Sequence, residues 1–410
     1  MWIYYSIRMS ITNSEIIEEH STNEGILDPS FKISSWDELE INSKLLRGIY
    51  AYGFEKPSPI QQKAIKPLIM GKDIVVQAQS GTGKTATFTI GALANVDVTN
   101  NTTQVLVLSP TKELTIQTAQ VFESLGGLME GLRVQALYGG SIVEDGGSFS
   151  NKKTPHVICG CPGRVFDMMR RERISSKKIK LVILDEADEM LSAGFKEQVY
   201  NIFQYFSSSI QVALVSATLP DSINSIIDKI MRNPIRVSVK REMLTLEGIA
   251  QYYIAVDDDR QKYATLKDIF GLFAMSQCII YCNSVKRVQD LYDAMREDDF
   301  SVCRIHSGME KHERAEAFND FKLGTTRVLI SSNVTARGID IQQVSIVVNF
   351  DIPKCVNTYL HRIGRSGRWG RKGVGINLIT RRDLPKLKEI EQYYSTQITE
   401  MPSNLDIFTC

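Results

Sequence analysis

The sequence predicts an α/β protein made of two tandem domains, each a parallel β-sheet flanked by helices. Its 410 residues correspond to two or three domains, at about 150 residues per domain. Short apolar runs alternate with longer helical patterns, and the runs show no polar/apolar alternation, which is typical of parallel strands buried on both faces. The runs form two series on either side of residues 239–248, a charged segment without a core pattern.

The first domain is predicted at residues 31–238. It follows a tail at residues 1–30, which we expect to be flexible because it carries one Arg against four Glu and one Asp. The apolar runs of this domain predict the strands Ile74–Ala78, Val105–Pro110, Val134–Tyr138, Val157–Gly160, Leu181–Asp185 and Val212–Ser216.

The second domain is predicted at residues 249–410, with residues 239–248 as a flexible linker. The two halves show no sequence repeat, although their strand–helix rhythm is alike. The apolar runs of this domain predict the strands Cys278–Cys282, Val302–His306, Arg327–Ser331, Ile346–Asn349 and Gly375–Thr380.

Composition excludes several classes of protein. No apolar run approaches the roughly 20 residues that cross a bilayer, so we expect no membrane partner. The net charge of +1 argues against a polybasic protein, but it sums an acidic tail and two mildly positive domains. Residues 31–248 carry 25 basic and 22 acidic side chains, and residues 249–410 carry 22 and 20. The seven cysteines form no CxxC pair, so we expect reduced thiols in a cytosolic or nuclear protein.

A glycine-rich segment follows the first predicted strand. AQSGTGKT (Ala78–Thr85) lies between a strand and a helical pattern, which is the context that a Walker A phosphate loop requires. In such a loop, Lys84 neutralises phosphate charge and the Thr85 hydroxyl ligates Mg²⁺. The alternative is a simple glycine-rich turn, which the order of strand, loop and helix disfavours. The predicted nucleotide-binding residues are Ser80, Gly81, Thr82, Gly83, Lys84 and Thr85.

Two carboxylates follow the buried run LVIL. A carboxylate at the carboxyl end of a parallel strand lies at the ligand-binding edge of the sheet. Asp185 is therefore predicted to hold Mg²⁺, and Glu186 to polarise the attacking water. The alternative is an acid-rich helix N-terminus, which is less expected about 100 residues after a phosphate loop.

A basic segment lies near the end of the second domain. His361–Gly373 carries five basic side chains and no acid. Phosphoryl transfer needs positive charge on the γ-phosphate, and an arginine finger contributes roughly 10³–10⁵ in rate. A solvated basic patch or a nucleic-acid phosphate site is the alternative, and five cations can serve both ATP and RNA.

Together these motifs resemble the DEAD-box RNA helicases of superfamily 2, and within them the translation initiation factor 4A type. The resemblance covers about residues 31–405 and includes GFEKPSPIQ (Gly53–Gln61), SAT (Ser216–Thr218) and HRIGRSGR (His361–Arg368). It implies two RecA-like domains and an RNA-stimulated ATPase that uses ATP and Mg²⁺ to unwind short RNA duplexes locally.

The resemblance also implies roles for individual residues. Gln61 would read the adenine edge, Phe54 would stack on the base, and Asp340 would contact the ribose. Arg365 and Arg368 would contact the γ-phosphate as catalytic residues, beside Lys84, Asp185 and Glu186. The residues that would couple ATP hydrolysis to unwinding are Ser216, Thr218 and His361. Those that would contact the RNA backbone are Thr111, Lys112, Gly139, Gly140, Pro162, Gly163, Arg164 and Asn283.

Several positions depart from the family pattern. Lys112 stands in place of Arg, Cys161 in place of Thr, Lys311 in place of Gln and Asn333 in place of Asp, and the segment Ile142–Pro155 is unlike the family. A lysine lacks the planar fork of an arginine, so Lys112 is not equivalent to the family's Arg. The four substituted positions belong to motifs for RNA contacts and coupling, so the changes concern those functions rather than ATP chemistry.

Three functions compete at this stage. The first is a cytoplasmic helicase of translation initiation, partnered by a scaffold protein of the cap-binding complex. The second is an ATP-dependent RNA clamp of an exon-junction-type complex, which would extend the location to the nucleus. The third, an ATPase acting on DNA or protein, is disfavoured by the motifs Gly53–Gln61 and His361–Arg368. Because the positive charge is weak and local, we expect tight RNA binding only with ATP bound.

Overall fold

The computed structural model describes residues 31–78, 81–140, 154–191, 194–238, 249–272, 277–333, 344–366 and 373–402. The predicted tail at residues 1–30, the linker at residues 239–248 and most of the segment Ile142–Pro155 lie outside these residues. Among the described helices, none combines the length and the apolar character needed to span a membrane.

The first half of the chain forms a parallel sheet of seven strands within the described residues, flanked by eight helices. Its strands are β1 (Ile74–Gln77), β2 (Val105–Leu108), β3 (Val134–Leu137), β4 (Val157–Gly160), β5 (Leu181–Asp185), β6 (Gln211–Ser216) and β7 (Ile235–Ser238). Its helices are α1 (Ser43–Ala51), α2 (Pro59–Ile69), α3 (Lys84–Ala94), α4 (Lys112–Leu125), α5 (Pro162–Arg170), α6 (Ala187–Met190), α7 (Lys196–Phe203) and α8 (Asp221–Ile230).

The second half forms another parallel sheet, also of seven described strands, with five helices. Its strands are β8 (Ile249–Ala255), β9 (Cys278–Tyr281), β10 (Val302–Ile305), β11 (Val328–Ser331), β12 (Ile346–Asn349), β13 (Gly373–Ile379) and β14 (Thr399–Glu400). Its helices are α9 (Gln261–Leu272), α10 (Val285–Glu297), α11 (Lys311–Lys322), α12 (Val356–Ile363) and α13 (Leu384–Tyr394).

The two sheets have the same topology. The strand order is β3-β4-β2-β5-β6-β1-β7 in the first and β10-β11-β9-β12-β13-β8-β14 in the second, so each strand of one has a counterpart seven strands later. Apolar residues pack on both faces of each sheet, which confirms the prediction of buried parallel strands. The two-domain α/β architecture is therefore the predicted one.

This topology places the predicted motifs along one edge of the first sheet. The neighbours β5, β6 and β1 end at the DEAD motif (Asp185–Asp188), the SAT motif and the phosphate loop, respectively. Because the carboxyl ends of parallel strands share an edge, residues distant in the chain meet there. Local signals then fix the helices: Pro59 begins α2, with Ser58 as its N-cap and Gln61 completing a capping box.

Candidate functional site

The phosphate loop turns sharply between β1 and α3. Gly81 and Gly83 have φ angles of 84° and 91°, the left-handed region that glycine adopts without strain. A Cβ added at Gly83 would lie 2.6 Å from Nε2 of Gln61, so the side chain is excluded by space as well. Thr85 lies in the first turn of α3, one residue after Lys84. The predicted Ser80 lies outside the described residues.

Lys84 is buried at the centre of the site. Its ammonium donates to the carbonyl oxygen of Ala78 at 2.7 Å. Burial lowers the pKa of Lys84, the carboxylates of Glu186 and Asp185 raise it, and the Arg365 guanidinium lowers it further. The effect of Arg365 shows that a cation of the second domain acts electrostatically on the phosphate-loop lysine of the first.

Two buried carboxylates face this loop from the end of β5. Asp185 Oδ1 accepts a hydrogen bond from the Glu186 amide at 3.0 Å, and Glu186 has the strained φ angle of 50°. Asp185 Oδ2 and Glu186 Oε2 are buried and, among the described residues, accept no hydrogen bond. Burial and the neighbouring Glu186 charge raise the pKa of Asp185. Unsatisfied carboxylate oxygens suit a hard cation such as Mg²⁺, so the residues present fit that ion.

The end of the segment Gly53–Gln61 is hydrogen-bonded to the phosphate loop. Gln61 is buried; its Oε1 accepts from the Ser58 amide at 2.7 Å, and its Nε2 donates to the carbonyl of Gly83 at 3.4 Å. The Ser58 hydroxyl donates to the carbonyl of Thr82 at 2.8 Å. If Gln61 binds the adenine edge, these hydrogen bonds therefore couple its position to that of the phosphate loop.

Phe54, which is predicted to stack on adenine, packs against two other aromatic rings. The ring of Phe54 lies 6.2 Å from that of Trp36 and 4.9 Å from that of Tyr52, measured between centroids. Trp36 is fully buried, whereas Phe54 is half-buried. Trp36 and Tyr52 thus support the Phe54 ring, and part of the ring remains accessible to solvent.

The three predicted coupling residues meet around a fourth residue. Asp188 accepts hydrogen bonds from the Ser216 hydroxyl at 2.9 Å and the Thr218 hydroxyl at 2.7 Å. Its Oδ2 also lies 3.3 Å from Nε2 of His361, which belongs to α12 of the second domain. All four side chains are buried, so one carboxylate joins both domains next to Glu186.

Helix α12 presents two buried arginines with different environments. Arg365, just after its end, is 3% exposed and lies near Lys84. Arg362 is fully buried in its own domain, and burial lowers its pKa to about 10. Its guanidinium donates to Asn333 Oδ1 at 3.0 and 2.6 Å and lies over the Tyr281 ring. It also donates to Asn283 Oδ1 at 2.8 Å, Asn349 Oδ1 at 3.1 Å and the Asp351 carbonyl at 2.8 Å.

The predicted RNA-contact residues of the first domain lie along the ends of β2, β3 and β4. Thr111 caps α4, its hydroxyl accepting from the Leu114 amide at 3.2 Å, and the Lys112 ammonium lies 4.9 Å from the centre of the Tyr138 ring. Gly139 and Gly140 follow β3, and Pro162, Gly163 and Arg164 open α5. Cys161, in place of the family's Thr, has its sulfur 3.4 Å from the Thr115 hydroxyl.

Asn283 has a different environment from the other predicted RNA contacts. Its amide nitrogen donates to the Ile352 carbonyl at 2.8 Å, and its oxygen accepts from Arg362. The structure therefore gives this side chain a role inside the second domain, and its contact with RNA stays a prediction. Arg368 and Asp340 lie outside the described residues, so their roles also remain predictions.

Comparison with known proteins identifies the family. Residues 58–226 match the DEAD/DEAH box helicase model, and residues 261–370 match the helicase conserved C-terminal domain. The chain belongs to the DEAD-box helicase family. It is therefore a helicase enzyme that uses ATP, as the motifs predicted.

Individual relatives and solved structures agree with this assignment. The helicase is 46% identical over 374 residues to "ATP-dependent RNA helicase eIF4A" of Saccharomyces cerevisiae, covering 91% of this chain and 94% of that one. It is 48% identical to "Eukaryotic initiation factor 4A-III homolog A" of Oryza sativa, covering 91% and 92%. Its fold is similar to S. cerevisiae Dbp5 bound to RNA and ADP BeF3, with a TM-score of 0.84 and 34% identity over 91% of this chain and 96% of that one.

Two residues of this helicase site were missed by reasoning from the sequence. Asp188 was seen as part of the DEAD motif but was given no role, because nothing along the chain shows that it meets His361. Arg362 was counted among the five basic residues of the segment His361–Gly373, although it is buried and satisfied within its own domain. Its position directly after His361 was the available signal, because adjacent residues on a helix point to different sides.

Proposed function

We propose that this helicase is an RNA-stimulated ATPase that unwinds short RNA duplexes locally during translation initiation. The observation that carries the proposal is the buried contact of Asp188 with Ser216, Thr218 and His361, which links the ATP site of one domain to the other domain. The site can therefore be complete only when the two domains are closed on each other.

ATP binding begins in the first domain. The backbone amides of the loop at Gly81–Gly83 and the Lys84 ammonium take the phosphates, Gln61 the adenine edge and Phe54 its face. Thr85 and Asp185 would hold Mg²⁺, which neutralises phosphate charge when bound. Glu186, with one oxygen lacking a hydrogen-bond partner among the described residues, orients the attacking water.

Closure supplies the missing cations from the second domain. The Arg365 guanidinium is close enough to Lys84 to lower its pKa, and Arg368 follows Arg365 in the sequence. These guanidinium groups stabilise charge on the transferred γ-phosphate. Binding energy from RNA favours closure and so assembles the catalytic site, which makes hydrolysis depend on RNA.

RNA lies across both domains through its sugar–phosphate backbone. The strand-end residues of the first domain offer a hydroxyl, two cations and glycine amides to phosphates, namely Thr111, Lys112, Gly139, Gly140, Pro162, Gly163 and Arg164. Such contacts carry no base sequence, so we expect binding without sequence preference. Dbp5 bound to RNA and ADP BeF3 has a similar arrangement of domains, which supports this placement.

The test measures ATP hydrolysis with and without single-stranded RNA. We expect RNA to raise kcat, and both Lys84→Ala and Glu186→Gln to abolish the RNA-stimulated rate, lowering it roughly 10²–10⁴-fold. Lys322→Ala, on the exposed side of α11, is the matched control and should retain the wild-type rate. Wild-type turnover by Glu186→Gln, or stimulation by DNA and not by RNA, would refute the proposal.

A second function is favoured by a specific comparison. The helicase is as similar to the 4A-III homologue of rice as to eIF4A of yeast, at 48% and 46% identity. An RNA clamp of an exon-junction-type complex, held closed by partners, is therefore the alternative. Initiation predicts a cytoplasmic protein that co-purifies with a scaffold of the cap-binding complex and releases RNA after hydrolysis. The clamp predicts nuclear protein, spliced-junction partners and RNA retained after hydrolysis.

A further inference from the structure

A groove on the first domain is lined by residues of which none is assigned to ATP or RNA. It has a volume of about 780 Å³ and runs between α7 and α8, from Leu191 near the DEAD motif to Ile210 and Arg232 at the opposite edge of the sheet. Leu191 and Ile210 belong to the apolar layer on that face of the sheet. The groove is therefore a feature separate from the nucleotide and RNA sites.

Two amphipathic helices make the groove apolar. On α8, Ile223 and Ile227 are buried against the sheet, while Ile226 and Ile230 are only half-buried and line the groove. The four isoleucines form an apolar stripe along α8 that is wider than the strip of the helix packed against the sheet. On α7, Tyr200 lines the same groove and is 62% exposed. Each helix thus has apolar surface left over after the core is filled.

Cations dominate the rim of the groove. Lys196 and Lys229 are exposed on the two helices, and Arg232 lies at the far end, against one acid, Glu197. The Arg232 guanidinium donates to the carbonyls of residues 209 and 210, at 3.0 and 3.3 Å, and its Nε lies 4.0 Å from the buried carboxylate of Asp73. Lys196 and Lys229 therefore supply most of the rim's free positive charge. An occupant needs apolar side chains for the floor and negative charge for this rim.

We propose that this groove binds an acidic amphipathic helix of a partner protein. A helix between two helices places one residue in every three or four on the apolar floor, as in other helix-in-groove complexes. Its flanking Glu or Asp side chains face Lys196 and Lys229 from the two sides. The complementary charges set orientation and partner choice, while the apolar floor supplies most of the affinity.

The test uses three synthetic 18-residue helical peptides. One has Leu at positions i, i+3, i+4 and i+7 flanked by Glu, the second has the same Leu pattern flanked by Lys, and the third is a scrambled version of the first. Binding to the full chain is measured by fluorescence anisotropy at low and moderate salt. We expect the Glu peptide to bind at least about tenfold more tightly than either control, with a smaller difference at higher salt.

Variants of the chain locate the site and decide the outcome. Lys196→Glu with Lys229→Glu should reverse the preference between Glu and Lys peptides, and Ile226→Asp should weaken both. ATP hydrolysis should stay at the wild-type rate in each, since the groove lies apart from the catalytic residues, and this reports correct folding. Equal binding of the Glu and Lys peptides, or a preference unmoved by charge reversal, would overturn the proposal.

Two other occupants are decided by the same assay. The acidic segment at residues 1–30 would compete from within the chain, so deleting it would tighten peptide binding about tenfold and refute a dedicated partner site. A second copy of the chain would make peptide binding fall as protein concentration rises, with dimers seen by light scattering. Unchanged peptide binding in both measurements supports the partner helix.

Discussion

The loop after β1 and the loop after β8 take the same place in two sheets of identical strand order, but their chemistry is opposite. After β1 the chain is glycine-rich and ends on Lys84. After β8 it is acidic, and Asp258 Oδ1 accepts from the amides of Arg260 and Gln261 at 2.8 and 3.2 Å. A carboxylate of the chain thus occupies the helix start that a phosphate would occupy in the first domain.

Buried charged side chains at corresponding parts of the two domains also differ, in whether the chain itself satisfies their hydrogen bonds. In the first, Asp185 and Glu186 each keep a buried oxygen without a hydrogen-bond partner among the described residues. In the second, the buried Arg362 donates to three asparagine oxygens and a carbonyl. Unsatisfied buried carboxylate oxygens are costly, and those of Asp185 and Glu186 lie where a cation accompanying the phosphates can satisfy them. The hydrogen bonds of Arg362 hold α12 in place within the second domain.

Arg365→Ala tests the contribution of the second domain with the largest expected effect. It removes the cation that we propose acts on the γ-phosphate, so RNA-saturated kcat should fall roughly 10³-fold. Affinity for ATP should change far less, because the first domain holds the nucleotide. Steady-state ATPase assays with Arg381→Ala, an exposed residue, as control will measure both. A kcat within tenfold of wild type would show that this cation does not act on the phosphate.

Arg362→Met tests the claim that this buried arginine has a positioning role. The change leaves the oxygens of Asn283, Asn333 and Asn349 without their donor, at about 1–3 kcal/mol for each group left unsatisfied. The thermal unfolding transition of the second domain should therefore fall by roughly 6–12 °C for about 3 kcal/mol lost. Calorimetry with Arg381→Met as control measures it, and an unchanged transition would contradict the role.

Asp258→Ala tests the comparison of the two helix starts with the smallest expected effect. Losing this cap should destabilise the second domain by about 1 kcal/mol, a shift of roughly 2–4 °C in its unfolding transition. ATP hydrolysis should be unchanged because the residue lies away from the phosphates. Binding of ATP at a second site by the variant would contradict a purely structural role and would mean that Asp258 excludes phosphate from the start of α9.

The sequence predicted buried strands better than exposed ones. All eleven predicted apolar runs coincide with strands; three have the observed ends, and the others differ by at most two residues at an end. The strands β7, β8 and β14 were missed. β7 and β14 are edge strands with exposed positions, and β8, beside β14, has mostly half-buried ones. Such strands carry no continuous apolar run, so periodicity gives no signal for them.

The candidate site was predictable where its residues are neighbours in the chain. The loop Gly81–Thr85 and the pair Asp185 and Glu186 follow strands, and the strand rule places them together. By contrast, the contact between Asp188 and His361 joins residues far apart in the chain, and no local pattern encodes it. The replacement at Asn333 shows another limit: its amide oxygen still accepts from Arg362 in two hydrogen bonds, a geometry that the residue name alone does not reveal.

The buried contact between Asp188 and His361 has a thermodynamic consequence. If ATP and RNA both bind more tightly to the closed arrangement that this contact joins, each must raise the affinity for the other by the same factor. Any change that weakens the contact reduces both enhancements equally. The two ligands are thus linked through one buried hydrogen-bonded joint, and measuring the effect of ATP on RNA affinity also measures the reverse.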